Sequence, residues 1–160
     1  MRSAIALVCC VAALILVDYS IVQKERLLES GSVVYLELAP VDPRSLVQGD
    51  YMALRFRMAN DASARLELRS NSDGRIVATV GADRVASFRR LDQGEALAAE
   101  EILLQYRVRE GQIKFATNAF FFQEGTANKY TGARYGEFRV GADGDLLLTG
   151  LRDQNLRPLG

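Results

Sequence analysis

The segment from residue 120 to residue 137 holds the densest group of side chains that could do chemistry. Aromatic, ionisable and amide side chains are joined there by glycines, namely Phe120, Phe121, Phe122, Gln123, Glu124, Tyr130, Arg134, Tyr135, Gly136 and Glu137. Glu124 and Glu137 are the one conceivable acid–base pair in this segment. Together with Tyr130 and Arg134, they would form the polar lining of a small cleft.

The same segment has a structural interpretation that requires no ligand. Side chains alternate along a strand, so Phe120 and Phe122 are predicted on one face and Phe121 on the other. A buried aromatic strand would then lead through a loop with salt bridges into the next strand. The sequence leaves both interpretations open.

A second cluster lies between Gln48 and Phe56. In the structural interpretation, Gly49 turns the chain, Asp50 bonds backbone donors in the turn, and Leu54 and Phe56 pack in the core. In the functional interpretation, Asp50 and Tyr51 form part of a binding rim. Both follow from a proline-containing loop that leads into an aromatic-led strand.

A serine–lysine hydrolase is one enzyme class to consider for the loop before this cluster. The run Pro43-Arg44-Ser45-Leu46 faintly resembles the serine segment of type I signal peptidases, where a lysine activates the serine without a histidine. Ser45 would be the nucleophile and Lys114 the base. Leu stands after the serine where that family has Met, and the Pro-Thr that should follow is missing, so the pattern argues against this activity.

The composition removes several function classes. Histidine, the commonest proton carrier near neutral pH and the commonest metal ligand, is absent. The two cysteines, Cys9 and Cys10, lie in the apolar N-terminal stretch, so the rest of the chain has no thiol or disulfide. Lys plus Arg and Asp plus Glu are 20 each, and no basic excess points to nucleic acid. We therefore expect no catalytic residues, no metal site, no cofactor and no nucleic-acid partner.

The N-terminus carries a membrane-length apolar run. Residues 4–17 are uninterrupted Ala, Ile, Leu, Val and Cys, and the apolar character continues to Val22. A helix to that point would be about 28 Å long, close to the ~30 Å hydrocarbon core. A cleaved signal peptide would need small residues after the run, and a lipoprotein signal would need one before Cys9, where Val8 stands. We predict an uncleaved anchor, with a cleaved signal as the alternative.

The charges around this run give little guidance on orientation. Arg2 precedes it, while Lys24 and Arg26 follow it with Glu25 and Glu29 beside them. A very short N-terminal tail is easily left in the cytoplasm. We therefore expect a single-pass protein of the bacterial inner membrane whose domain lies in the periplasm.

The remaining sequence has strand character. Residues 1–30 are predicted as the transmembrane anchor with a juxtamembrane helix, and residues 31–160 as one β-rich domain. About eight apolar runs with short connections indicate mainly antiparallel β hairpins with one or two short helices. A sandwich and a partly open barrel both fit this pattern.

Local patterns predict individual elements. The first strand should bury one face, formed by Val34, Leu36 and Leu38. Residues 51–58 alternate as a strand. Asn60-Asp61 could cap a short helix over residues 62–69, although that segment could also be a strand. Gly accepts the positive φ of tight turns, which predicts three hairpin turns, at Asp73-Gly74, Glu110-Gly111 and residues 141–144.

The two clusters carry a family resemblance. Gly49-Asp50-Tyr51-x-x-Leu54-x-Phe56 resembles the motif that names the GDYXXLXY family of bacterial membrane-associated proteins. Gln123-Glu124-Gly125 and Ala133-Arg134-Tyr135-Gly136-Glu137 are also similar to that family, as is the layout of one span and one domain. Phe56 replaces the last Tyr of the motif, which argues that this position is packed. Members tend to accompany multi-pass membrane proteins, so the resemblance implies an envelope complex and no established activity.

Three functional hypotheses follow. The leading one is a non-enzymatic, membrane-anchored periplasmic accessory protein that binds an integral membrane protein. The second is a binding module for a small envelope ligand, with its cleft near Glu124 and Arg134. The third is the serine–lysine hydrolase, which requires Ser45 and Lys114 within hydrogen-bonding distance.

Overall fold

A computed structural model describes residues 2–39, 47–48, 51–64, 73–117 and 119–160. The chain begins with a long helix, α1, at Arg2–Ser30. Gly31 ends it, and its N–H donates to the Leu27 carbonyl at 3.0 Å. A side chain at Gly31 would collide with that carbonyl, so only glycine fits this close approach.

The described residues contain eleven strands and two further short helical elements. The strands are β1 Ser32–Glu37, β2 Val47–Gln48, β3 Tyr51–Ala53, β4 Asp73–Val80, β5 Ala86–Leu91, β6 Glu101–Arg109, β7 Gln112–Lys114, β8 Ala119–Phe121, β9 Tyr135–Val140, β10 Leu146–Arg152 and β11 Pro158–Leu159. Helix α2 is Arg57–Ser63, and a single 3₁₀ turn covers Ala127–Tyr130.

The strands form three antiparallel sheets arranged as a half-barrel. Their strand orders are β1-β9-β10-β11, β2-β3-β8 and β5-β4-β6-β7. Isolated bridges join the first sheet to its neighbours, one between Tyr35 and Val85 and one between Leu38 and Phe56. The expected class, mainly antiparallel β with a long apolar N-terminal helix, is confirmed, and the half-barrel agrees with the partly open barrel.

The sheets enclose one aromatic-centred core. Phe115 and Phe138 are fully buried, and both meet the ring of Phe56 edge-on, at centroid distances of 6.3 and 5.4 Å. Burying a side chain of this kind contributes about 1.5–3 kcal/mol. The predicted buried face of β1 is confirmed, because Val34 and Leu36 are at most 1% exposed and Leu38 packs against the same core.

The predicted strand over residues 51–58 is correct in its pattern of burial and wrong in its length. The apolar positions Met52, Leu54, Phe56 and Met58 are buried, while Arg55 and Arg57 are exposed. Regular pairing nevertheless ends at Ala53, and α2 begins at Arg57.

The predicted helix over residues 62–69 starts too late. Asn60 and Asp61 lie inside α2, and Phe56 occupies the N-cap without a side-chain hydrogen bond. Met58 and Ala62, four residues apart, share one helix face and are both buried. Packing of this face, and not a polar cap, therefore sets where the helix begins. Residues 65–69 lie outside the described residues.

Two of the three predicted turns are confirmed. Glu110 and Gly111 have φ values of 56° and 70° between the paired residues Arg109 and Gln112, the two positive φ angles of a type I′ hairpin turn. The turn at residues 141–144 joins β9 to β10, and Gly144 adopts a φ of 87°.

The third predicted turn is wrong, because Asp73 and Gly74 lie within β4. Gly74 pairs with Tyr106 of β6. A Cβ at residue 74 would lie 2.6 Å from the Tyr106 hydroxyl oxygen. The glycine therefore makes room for a tyrosine on the neighbouring strand. From one sequence alone, a glycine that is needed for close packing cannot be distinguished from a glycine in a turn.

Candidate functional site

Helix α1 exposes its apolar length. The part Ile5–Ser30 is long and apolar enough to cross a membrane, and none of its most apolar window is buried within the described chain. Leu7 is 67% exposed and Leu16 is 69% exposed. A helix that is apolar on all sides requires an apolar surrounding, which no other described part of this chain provides.

The end of α1 is attached to the β structure by three contacts. Leu27 is 8% exposed. The Lys24 ammonium nitrogen lies 2.7 Å from Asp145, and Arg139 donates to the Gly31 carbonyl at 3.0 Å. The Lys24 pair is nearly half exposed, so it contributes at most about 1 kcal/mol. Burial of Leu27 therefore supplies most of the attachment.

A lateral groove of about 790 Å³ begins beside this attachment. Its lining combines charged, polar and apolar side chains, including Lys24, Arg75, Gln105, Arg107, Phe121, Asp145 and Leu147. Arg107 donates to the Ala116 carbonyl at 2.6 Å, and Arg75 pairs with Asp92 at 2.9 Å. Both cations therefore already have a partner, although each guanidinium retains further donors.

A second concavity, the junction cleft, lies where α1 meets the β structure. It has a volume of about 610 Å³ and is lined by Gln23, Arg26, Leu27, Leu97, Glu101 and Asp143, among others. Leu97 belongs to the loop of residues 92–100 between β5 and β6, and it is 39% exposed. The cleft therefore joins the first residues after the apolar span to an exposed loop of the domain.

Arg90 organises that loop through two carboxylates. It donates to Glu95 at 2.8 Å and to Glu101 at 2.6 Å. The bond from Arg90, followed by one from the Ala98 backbone N–H, lowers the pKa of Glu101 below its ordinary value. The same two carboxylates raise the pKa of Arg90. Arg90 and Glu101 therefore stay charged at neutral pH.

The second sequence cluster is divided between the core and the surface. Leu54 and Phe56 are buried, as the packing interpretation predicts. The ring of Tyr51, in β3, lies 5.9 Å from that of Phe121, which is 74% exposed. Gly49 and Asp50 lie outside the described residues, so a rim role that includes Asp50 stays a prediction.

The first cluster begins as an aromatic strand and an exposed loop. The predicted alternation is confirmed, because Tyr130 packs against Phe120 and Phe122 at centroid distances of 5.1 and 5.2 Å, while Phe121 points outward. Gln123 and Glu124 are exposed, and the Gln123 carbonyl accepts from the Thr126 hydroxyl at 2.6 Å. Tyr130 is therefore a packing residue in this strand-and-loop unit.

The second half of this cluster lies in or beside β9. Gly136 is buried against the core, and Glu137 forms an ion pair with Arg152 and accepts from the Thr149 hydroxyl at 3.2 Å. The backbone of Arg134 donates to the Arg152 carbonyl at 2.8 Å, and its side chain is exposed.

Two members of this cluster remain, Glu124 and Tyr135. Tyr135 is half-buried at the start of β9. Over the described ranges, Glu124 makes no ion pair with Arg134. A shared polar cleft at these residues stays a prediction.

The hydrolase hypothesis rests partly on a residue outside the described ranges, Ser45. Lys114, its proposed base, lies 3.6 Å from the Glu110 carboxylate, with which it forms an ion pair. In the part of the chain that the structure describes, no group of three or more acidic or cysteine side chains is arranged to hold a metal ion.

The contacts at the junction were not predicted from the sequence. Lys24 and Asp145 are 121 residues apart, and their pairing depends on how β10 returns to the end of α1. The contact between Arg90 and Glu101 is equally hard to predict, because it depends on how β5 and β6 each pair with β4. The one available signal was the apolar run Ala-Leu-Ala-Ala at residues 96–99 within an otherwise polar segment.

Comparison with known proteins identifies the family. No curated protein and no solved structure matches this chain. A family model described as GDYXXLXY protein matches residues 13–151, which is nearly the whole chain. Its match includes both clusters, from Tyr51, Leu54 and Phe56 through Gly136 and Glu137. The chain therefore belongs to the GDYXXLXY protein family.

Proposed function

We propose that this protein is a non-enzymatic accessory protein, anchored in a bacterial inner membrane, whose periplasmic domain binds an integral membrane protein. The observation that carries the proposal is α1, an apolar helix exposed along its length and attached to the domain at one end. A bilayer would cover the helix, and its lateral face would be available to a partner helix.

The position of the attachment favours a role close to the membrane surface. Leu27 packs against the domain five residues after Val22, the last residue of the apolar span, which is about 8 Å along a helix. The domain would therefore stand directly on the headgroups. A partner whose own spans pack beside α1 would meet the domain without a long linker.

A reporter fusion tests the location of the domain. Alkaline phosphatase, which is active only outside the cytoplasm, would be fused after Gly160, and the size and membrane association of the product would be determined. We expect an active, full-length, membrane-bound fusion. An inactive fusion at normal expression would refute a periplasmic domain, and an active but shortened soluble product would refute the anchor.

Site-specific photo-crosslinking in living cells tests the partner. A photo-reactive phenylalanine analogue at Phe121, which is 74% exposed in the lateral groove, should form an adduct with an integral membrane protein. The same analogue at Gln154, which is exposed and does not line the groove, is the matched control and should form none. Equal behaviour at the two positions would contradict a partner surface at the groove.

The volume of the lateral groove supports a second candidate function, a binding module for a small envelope ligand. About 790 Å³ is within the range of small-molecule sites, and Arg107 and Phe121 offer cationic and aromatic contacts. Thermal stabilisation of the full chain by a set of anionic envelope metabolites would test it. A real ligand should stabilise the wild-type protein, and Arg107→Gln should abolish that effect.

A further inference from the structure

The loop of residues 92–100 presents an apolar tip to solvent. Residues 96–99 read Ala-Leu-Ala-Ala, and all four are exposed. Leu97 is one of the few large apolar residues outside α1 that is exposed among the described residues, at 39%. A single exposed leucine is ordinary on a protein surface, so Leu97 is notable only for its position and for the rigidity of its loop.

Hydrogen bonds hold the loop in a fixed form. The Gly94 N–H donates to Asp92 at 3.0 Å, and the Ala98 N–H donates to the Glu101 carboxylate at 3.1 Å. Arg90 joins Glu95 and Glu101 from the preceding strand. The tip is therefore preorganised, and presenting Leu97 to a binding surface would cost little further conformational entropy.

The tip lies beside the point where α1 would leave the bilayer. Leu97 lines the junction cleft together with Gln23 and Arg26. These two residues follow Val22 by one and four positions, or about 2 and 6 Å along the helix. Leu97 is thus placed at the level of the lipid headgroups.

The charges around the tip are of both signs. Glu95 and Glu101 flank the apolar tip, and they share the single positive charge of Arg90, which leaves one net negative charge in this group. Arg26 adds a cation to the wall of the cleft, at the depth where lipid phosphates lie. Apolar side chains that enter the boundary between headgroups and acyl chains are stabilised there, and nearby basic residues add to binding.

We propose that residues 96–99 form a second membrane contact, in which Leu97 enters the headgroup–acyl boundary and Arg26 contacts the phosphate of a phospholipid at the junction cleft. The inference rests on the proposed function, since it requires α1 to span the bilayer. With two contacts, the domain would keep a fixed tilt on the membrane. A fixed tilt would present the lateral groove to a partner in one orientation.

Tryptophan fluorescence tests this contact without background, because the chain contains no tryptophan. Leu97→Trp would be placed in the full-length protein and reconstituted in vesicles of phosphatidylcholine and phosphatidylglycerol. Phospholipids brominated near the top of the acyl chains should reduce its emission about twofold, since interfacial apolar groups sit ~5–10 Å into this boundary. Lipids brominated near the chain ends should quench it less.

Two further variants separate failure of the contact from failure of the anchor. Leu16→Trp reports insertion of α1, and Gln154→Trp reports the exposed turn at the other end of β10 from Lys24. Quenching at residues 16 and 97, with none at 154, supports the proposal. Quenching at residue 16 alone overturns the second contact and leaves the anchor intact. An unquenched residue 16 overturns the anchor and the contact together, and equal quenching at 97 and 154 overturns a specific role for the loop.

Discussion

Gly136→Ala provides a sharp test of how the core is packed. Gly136 lies in β9 and belongs to the segment that resembles the family pattern. A Cβ at this position would lie 2.9 Å from Phe138 Cε2, 3.1 Å from Phe56 Cε1 and 3.2 Å from Leu148 Cδ1. Phe138 is fully buried and Phe56 is 3% exposed, so neither ring can move aside freely.

Overpacking of this kind costs about 1–3 kcal/mol. Gly150→Ala is the matched control, because Gly150 pairs with Glu137 in the same sheet and a Cβ there would meet nothing within 4 Å. Replacing an unstrained strand glycine by alanine should be neutral or stabilise by about 0.5 kcal/mol. We therefore expect the two variants to differ by roughly 1–3.5 kcal/mol in the free energy of unfolding.

Urea unfolding of the full-length protein in detergent micelles, followed by near-ultraviolet circular dichroism, measures this difference. The signal arises from tyrosine and phenylalanine packing, so α1, whose one aromatic residue is Tyr19, contributes little. Both variants should keep the wild-type dependence on urea concentration, and only the midpoint should move. Equal midpoints for Gly136→Ala and Gly150→Ala would refute a packing role for Gly136, and a functional role would then have to be considered.

Three further changes test contacts that the tertiary structure creates. Arg152→Ala should lower the free energy of unfolding by about 1–3 kcal/mol, because it leaves the largely buried carboxylate of Glu137 without its cation. The pKa of Glu101 is lowered in the folded protein, so ionised Glu101 stabilises the fold. This contribution to the free energy of unfolding is complete above the ordinary carboxyl pKa of ~4.3, and it is lost as the pH falls through the lowered pKa. Arg90→Gln should therefore make the urea midpoint less dependent on pH in that acidic range. Leu27→Ala should speed proteolytic cleavage between α1 and β1 by roughly tenfold or more, because it removes the main apolar contact of the attachment.

Matched controls accompany these variants. Arg57→Ala removes an exposed ion pair and should cost at most about 1 kcal/mol. Arg109→Gln breaks another exposed pair and should leave the acidic pH dependence unchanged. Leu28→Ala alters a leucine that is 45% exposed and should not speed cleavage. If a control variant changes stability, pH dependence or cleavage rate as much as its test variant does, the corresponding contact is contradicted.

The sequence pattern singled out residues more readily than it predicted their contacts. The sequence pattern identified Gly136 and Glu137 as unusual, and both have specific roles in β9. In its cleft interpretation Glu137 shares a polar lining with Glu124 and Arg134, and the structure pairs Glu137 with Arg152. The pairing of β9 with β10 brings this arginine alongside, and a register between strands is not encoded by either strand alone.

The sequence by itself determined the features that depend on local chemistry. An apolar run of membrane length specifies α1, alternation specifies which of residues 51–58 are buried, and Glu110-Gly111 specifies a turn because few residues tolerate positive φ. The tertiary structure alone decided the features that depend on contacts between distant segments. Gly74 proved to be a packing position opposite Tyr106, α2 began at Arg57, and Lys24 met Asp145 across 121 residues. The physical reason is that local preferences are worth about 1 kcal/mol or less, whereas burial of a single large side chain is worth more and can override them.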